Sequence, residues 1–559
     1  MARTIQTCSL ITVAALISSA SPVIARTATP SPLMNYAAGR MADLDGASKA
    51  AAIAYSNALL ALPGNEALAQ RAYRQAIEAG DRVLALSAAR ALEAQNALPA
   101  DATLLLFSDR IARRDWGSAQ IILAKLDPKV GLGFLVPVLR AWTQYGANAG
   151  EPLATLNIAD SESLILTYAR EHRVMMQLAL GQIEEGRKAA EALTTPDARG
   201  MALRLAVAAQ LSGKGNKAAA LGLLSGDDNA VRAARALVEA GKPLGGAIDK
   251  PAEGIATLLS RVAGDLMRDR ATPAALTLAR LASFSAPADE MVQLVLAQAL
   301  LANGKIDGAL AVIDQAKPTT IFAAALRELR IEALQQSGRD EAALALAKVA
   351  AASTESTINE QLLLGQSYSR LRRYAEAADA FGTVIKRLEA DTSKTKAGQG
   401  AESWRLWLLY GGALDAAKDW ARAKPALKRA VELGPEQASA LNHLGYAMLE
   451  RGENLEEATK LVAKASALRP DDPAITDSLG WAFFKRGQTV EAITILETAV
   501  VIDPTISETS EHLGDAYWTA GRRVDARYTW RAALVQAGDD EARNRLNAKI
   551  SDGLAAPGK

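Results

Sequence analysis

Four glycines in the C-terminal part of the chain, Gly411, Gly445, Gly480 and Gly514, follow one another at steps of 34, 35 and 34 residues. Downstream of each stands a small residue, Ala423, Ala458, Ala492 or Ala526, and seven residues later a second, Ala430, Ala465, Ala499 or Ala533. A large residue sits between the two alanines each time: Leu427, Val462, Leu496 and Trp530. Pro435, Pro470 and Pro504 close three of the units. Small side chains at these positions let two antiparallel helices approach closely, the large one fills the space left over, and proline ends the second helix because it lacks a donor N–H. A fixed period of this length means stacked copies of one helical unit.

The pattern resembles the 34-residue tetratricopeptide repeat, with its W-x2-L-G-x2-Y, A-x3-F and P positions. Trp407, Tyr410, Gly411 and Leu414 follow the first part in one unit, and Leu479, Gly480 and Phe483 in another. The resemblance implies an all-α fold, a tetratricopeptide-repeat helical solenoid in which antiparallel helix pairs form a right-handed superhelix. The first helix of each pair then lines a concave groove.

The register extends backward. Ala275, Ala309, Ala342 and Ala377 step by 34, 33 and 35, and Ala51, Ala85 and Ala119 by 34. Gly46, Gly80, Gly304 and Gly338 mark turns inside units, while Arg114 takes that place before Ala119. From Ala377 to Ala423 the step is 46, an excess that falls in a polar stretch. The expected organisation is a signal peptide over 1–25, an extended linker over 26–36 and repeat-like pairs over 37–127. Divergent helical repeats without a readable period follow over 128–270, then repeat-like pairs over 271–387 and a loop insertion over 388–402. Regular units over 403–537 precede a capping helix and tail over 538–559.

The signal peptide is read from Arg3, the short apolar run from Cys8 to Ile17 and the small or short residues Val23, Ile24 and Ala25. The run is shorter than the ~20 residues that cross a bilayer; an uncleaved anchor helix is the rival reading. Cys8, the only cysteine, opens the run instead of following it, so lipidation there is not expected and the exported chain has no disulfide. The mature protein is expected in the periplasm, at most peripherally associated with the outer membrane, with no integral membrane segment after cleavage.

Whole-chain charge is balanced, 63 Lys+Arg against 62 Asp+Glu. That excludes a chain built to bind nucleic acid through a basic excess. Chemistry has few candidates. His172, His443 and His512 are the only histidines, and none lies in an H-E-x-x-H spacing. Gly365-Gln366-Ser367-Tyr368-Ser369 ends in serine where a nucleophile elbow needs glycine. No catalytic residue, metal site or cofactor is expected, and the chain reads as a non-enzyme.

Taking the positions three before, two before, one after and four after the repeat glycine as the groove, the resemblance places Asn442, His443, Tyr446 and Leu449 there, with Asp477, Ser478, Trp481 and Phe484, and Glu511, His512, Asp515 and Trp518. Such a face is aromatic and acidic. Acidic side chains repel a carboxylate at short range, so a receptor for free C-terminal tails is disfavoured, and the aromatics supply hot-spot area for neutral or basic segments. Trp518 has an alternative place, beneath the C-terminal helix near Glu541 to Ile550.

Asp-Ser-Leu-Gly-Trp at Asp477 to Trp481, His512 to Asp515 and Gly521 to Arg523 are similar to segments of repeat-containing envelope proteins of proteobacteria. Some of these act as lipoprotein adaptors that bring cell-wall hydrolases to a processing protease. The resemblance implies an exported scaffold or adaptor whose partners are other proteins, peptide segments or envelope enzymes. The alternatives are an assembly factor for polysaccharide export or outer-membrane machinery, and a peptidoglycan- or glycan-associated activator.

Overall fold

The computed structural model describes residues 31–554 apart from 159–164, 194, 196, 227, 318–319, 354–355 and 391–399. The expected signal peptide, most of the expected insertion over 388–402 and the tail over 555–559 lie outside the described residues. Helices α1 (Pro32–Leu44), α2 (Ser48–Ala61), α3 (Glu66–Ala79), α4 (Arg82–Ala94), α5 (Ala100–Ala112) and α6 (Trp116–Leu123) come first. A 3-10 turn over Gly131–Leu135 leads to α7 (Val136–Ala147), α8 (Pro152–Thr155), α9 (Ile165–Ala179), α10 (Ile183–Leu193), α11 (Ala198–Gly213) and α12 (Lys217–Leu223). Then follow α13 (Asn229–Glu239), α14 (Pro251–Arg268), α15 (Thr272–Ser285), α16 (Glu290–Ala302), α17 (Ile306–Asp314), α18 (Ala323–Gln336), α19 (Asp340–Ala351), α20 (Ile358–Arg370) and α21 (Tyr374–Ala390). The regular units are α22 (Gly400–Ala416) with α23 (Trp420–Leu433), α24 (Ala438–Glu450) with α25 (Leu455–Leu468), α26 (Pro473–Lys485) with α27 (Thr489–Ile502), and α28 (Ser507–Thr519) with α29 (Arg523–Gln536). Last is α30 (Asp540–Asp552). The described residues contain no strand.

The period is carried by the turn inside each pair, where one residue adopts the left-handed conformation. Gly46, Gly80, Arg114, Asn148, Gly181 and Gly215 do so with φ between 49° and 82°, at steps of 34, 34, 34, 33 and 34. The expectation that 128–270 loses its period is therefore corrected: the period runs through Gly215 and breaks only afterwards, at Gly241 and Arg270. Glycine adopts this conformation freely, whereas Arg114 and Asn148 hold it because the helices on either side dictate the turn. The same turn recurs at Gly304, Gly338, Arg372, Lys418, Gly452, Gly487 and Gly521.

A second correction concerns the linker. Residues 32–36 are helical, since the Ser31 Oγ accepts the Met34 N–H at 3.2 Å and Pro32 begins α1 with its φ already set.

The chain divides into two compact units, one of residues up to 219 with 245–299, the other of 220–244 with 300 onward. The expected block over 271–387 is thus split, with α15 belonging to the first unit. In that unit α14 packs across α5, α7 and α9, and α15 across α3 and α5. Gly254 permits this: a Cβ there would lie 2.1 Å from Trp142 Cε2. Tyr145 donates to the Asp249 carbonyl at 3.1 Å, Gln210 to the Ile248 carbonyl at 2.6 Å, and Arg280 to the Glu78 carbonyl at 3.3 Å. The first unit therefore covers the faces of its own α5, α7 and α9 with a helix pair of its own.

In the second unit the alanine columns form the core. Ala423, Ala430, Ala458, Ala465, Ala492, Ala499, Ala526 and Ala533 are wholly buried. Each large residue lies against the glycine of its own unit: a Cβ on Gly514 would come within 2.4 Å of the Trp530 ring, and one on Gly480 within 2.6 Å of Leu496. The spacing seen in the sequence is this interlock.

Candidate functional site

First helices α22, α24, α26 and α28 pack side by side, each touching the next. Trp481 of α26 is only 7% exposed. Its ring stacks on His512 of α28, centroids 3.9 Å apart, and on Phe484 at 4.9 Å. Its Nε1–H donates to Glu450 of α24 at 2.7 Å, and the Lys485 Nζ stands 4.8 Å from the ring. One indole thus ties three repeats together. The expectation that Trp481 offers open aromatic area is corrected, because neighbouring first helices already occupy it. Asp477, also buried, accepts from His512 Nδ1 at 3.0 Å. Burial pushes the His512 pKa down, but the charge and hydrogen bond of Asp477 outweigh it, with smaller help from Glu508 and Asp515, and the net shift is upward.

Tyr446 of α24 donates to Glu508 of α28, reaching past α26. Burial and then the Glu508 charge push its phenol pKa up. Glu511 accepts from Arg545 at 2.8 and 2.9 Å and pairs with Lys549 at 2.7 Å, both on α30. Burial would raise its pKa, yet these two cations bring it down to about 2. Asp515 accepts from Lys549 at 2.7 Å and from the Trp530 indole at 2.9 Å; burial prevails there, and its pKa is raised. The acidic groove expected from Asp477, Glu511 and Asp515 is corrected too: all three are buried and neutralised by His512, Arg545 and Lys549. Around Gly480 and Gly514 the position rule selects residues that mostly face a neighbouring helix, not the opening.

Trp518 is half-buried and takes its alternative place, 5.4 Å from Trp530 in a cluster with Leu546, Ile550 and Leu554 of the C-terminal segment. Leu449 is buried, and Ser478 is buried with its hydroxyl donating to the Ala474 carbonyl. Asn442 is half-buried, its Oδ1 enclosed without a protein donor.

The accessible part of this face includes two of the expected residues, His443 and Tyr446. The His443 side chain is 41% exposed, 3.9 Å from Asp415, and the protein crowding around it holds its pKa below the ordinary value. Glu450, 44% exposed, lies 3.7 Å from Lys485, and Glu508 is exposed. These three with Tyr446 form a mixed polar strip above the buried aromatic layer. Glu450, Glu508, Arg545 and Lys549 escaped the position rule. Arg545 and Lys549 stand 34 residues after Glu511 and Asp515, so that α30 continues the repeat register.

His172 is fully buried in the first unit, accepts from the Trp142 indole at 3.0 Å, and is held down to about 3 by burial, then by Arg261 and Arg199. It is a neutral core residue. Among the described residues no cluster of three or more His, Cys, Asp or Glu has a metal-binding arrangement, and no helix is long and apolar enough to cross a membrane.

The tetratricopeptide repeat family pattern matches residues 362–423 and 413–473. No curated protein sequence matches the chain. Among solved structures, a chain of the APC/C hetero-tetramer Cut9-Hcn1 is similar at 13% identity, over 94% of this chain and 97% of that one, with a TM-score of 0.40. A tetratricopeptide repeat protein from Parabacteroides merdae is similar at 12% identity over 52% and 96%, TM-score 0.34. MamA from Desulfovibrio magneticus is similar at 18% identity over 32% and 94%, TM-score 0.27. Residues 362–473 are thus tetratricopeptide repeats, set in an all-helical chain whose turns repeat at the same step well beyond them.

Proposed function

We propose that the chain is a non-enzymatic scaffold of the cell envelope that holds segments of partner proteins against the strip formed by His443, Tyr446, Glu450 and Glu508. The observation that carries this reading is the contrast on one face: a buried, fully paired layer of Trp481, Asp477, His512, Glu511 and Asp515 supports a polar rim whose His443, Glu450 and Glu508 side chains remain open to solvent. Rigid first helices beneath an open rim suit recognition, since little ordering accompanies binding. Glu450 and Glu508 give the rim a preference for neutral or basic segments over free carboxylates.

Export is part of the proposal, with cleavage after Ala25, resting on Arg3, the short apolar run and Val23-Ile24-Ala25. The mass of the mature protein decides that point, and retention of residues 1–25 contradicts it. The binding reading is tested by capture from envelope extract with wild type and with Glu450→Gln/Glu508→Gln, which removes the negative charge and keeps a carbonyl acceptor for the Trp481 indole and the Tyr446 hydroxyl. Loss of captured proteins in the variant, with helicity and melting unchanged, supports it. Equal capture by both contradicts it, and retention by isolated wall material in place of proteins gives the role to glycan binding.

A further inference from the structure

The outward faces of the second helices change character along the second unit. Equivalent positions, one repeat apart, are Glu456 and Lys460 on α25, Val490 and Thr494 on α27, and Val524 and Tyr528 on α29. On α25 the exposed pair is an ion pair, Lys460 to Glu456 at 2.7 Å. On α27 and α29 that ionic surface is replaced by an apolar one: Val490, Val501, Val524, Tyr528 and Val535 are between 69% and 82% exposed. Scattered exposed apolar residues are ordinary; a stripe repeated in register on two successive outward faces is a contact surface.

The charges beside the stripe indicate what covers it. Glu497 on α27 and Arg531 on α29 are equivalent positions, 34 residues apart, and both are exposed. A two-fold axis running parallel to these helices, midway between their outer faces, lays α27 of one copy on α29 of the other in parallel. Equal register then becomes equal height: Glu497 meets Arg531 of the second copy, Val490 meets Val524, and Val501 meets Val535. Both halves of the contact are satisfied at once, the self-complementarity that a two-fold interface requires. The stripe and its opposite charges fit a second copy better than any one-sided partner.

We infer that the chain forms a homodimer through the outward faces of α27 and α29. This surface is separate from the His443–Glu508 rim, which faces inward on the first helices, so each dimer carries two rims. Dimerisation is tested by light scattering of the full exported chain. Wild type at ~50 μM should show twice the single-chain mass, and Val501→Glu/Val535→Glu the single-chain mass with unchanged circular dichroism. Glu497→Arg and Arg531→Glu should each weaken the dimer about tenfold by opposing like charges, and the two combined should restore it. Because Glu497 accepts from the Tyr517 hydroxyl at 2.6 Å and pairs with Arg522 at 3.7 Å within its own chain, melting is followed for that variant, and Arg531→Glu supplies the same information without touching those contacts. A single-chain wild type, a dimer indifferent to Val501→Glu/Val535→Glu, or a combined swap that fails to restore association overturns the inference. So does a single-chain wild type that captures another protein through this stripe.

Discussion

Trp481 and His512 stack with ring planes 13° from parallel and centroids 3.9 Å apart, so one aromatic pair joins α26 to α28 across the repeat boundary. The same indole reaches back to Glu450 and the same imidazole to Asp477. Replacing the indole removes buried area, a stack and a hydrogen bond together. Trp481→Ala should lower the stability of the second unit by about 3–5 kcal/mol, the usual range for truncating a buried large aromatic. Urea titration followed by circular dichroism measures it; a loss below ~1 kcal/mol contradicts the packing assignment.

His512 makes this layer sensitive to pH. Its folded pKa lies above the ordinary 6.5 because Asp477 outweighs burial. The stabilisation from the charged pair is therefore complete below pH ~6.5 and is lost as pH rises through the raised folded value. Proton NMR of the imidazole should show a titration above 6.5 in wild type and below it in Asp477→Asn, where burial is opposed only by the smaller effects of Glu508 and Asp515.

The C-terminal cap has the opposite pH sign. Glu511 titrates at about 2 in the fold against 4.5 in the free side chain. Its stabilisation is present above pH ~4.5 and disappears as pH falls toward 2, in all about 3 kcal/mol. Lys549→Met with Arg545→Ala strands the Glu511 carboxylate without a cation, an effect of about 3–5 kcal/mol for a buried charge left unpaired. Hydrogen exchange should then accelerate in α28 to α30 at neutral pH while α18 to α21 keep their protection.

Lys418 occupies the left-handed turn between α22 and α23 at φ 64°, where the three units that follow place Gly452, Gly487 and Gly521. Lys418→Gly should raise stability by up to about 1 kcal/mol, the left-handed strain less the added freedom of the unfolded chain. Gly487→Ala at the equivalent turn, φ 76°, should lower it. Melting temperatures of the two variants should move in opposite directions.

Much of the fold was legible because the repeat restricts the same residue types at the same places: the buried alanines and the glycine under each large residue are the interlock itself. From 128 to Gly215 the period survives in backbone conformation while the residue types that mark it thin out. Asn148 stands where a glycine was the signal, and the alanine columns thin out around it. The fold-back of α14 and α15 leaves no trace of this kind, since Gly254 meets Trp142 and Arg280 meets Gly80 only through contacts distant in sequence. For the site, the register predicted which residues sit on the first-helix face. Whether a side chain there points to the opening or into the next helix depends on how closely the neighbour approaches, and that decided against Trp481, Asp477, Glu511 and Asp515. Arg545 and Lys549 continue the period through charged residues, which the columns of small residues do not mark.

The most direct test of the scaffold reading is photo-crosslinking from single positions in the living cell envelope, with a photoreactive residue placed at His443, at Glu450, and at Lys460 on the outward face of α25. Protein adducts at 443 and 450, absent at 460, are the expected result. Adducts at 460 alone, or none at any inner position under conditions where the protein is exported and folded, contradict it.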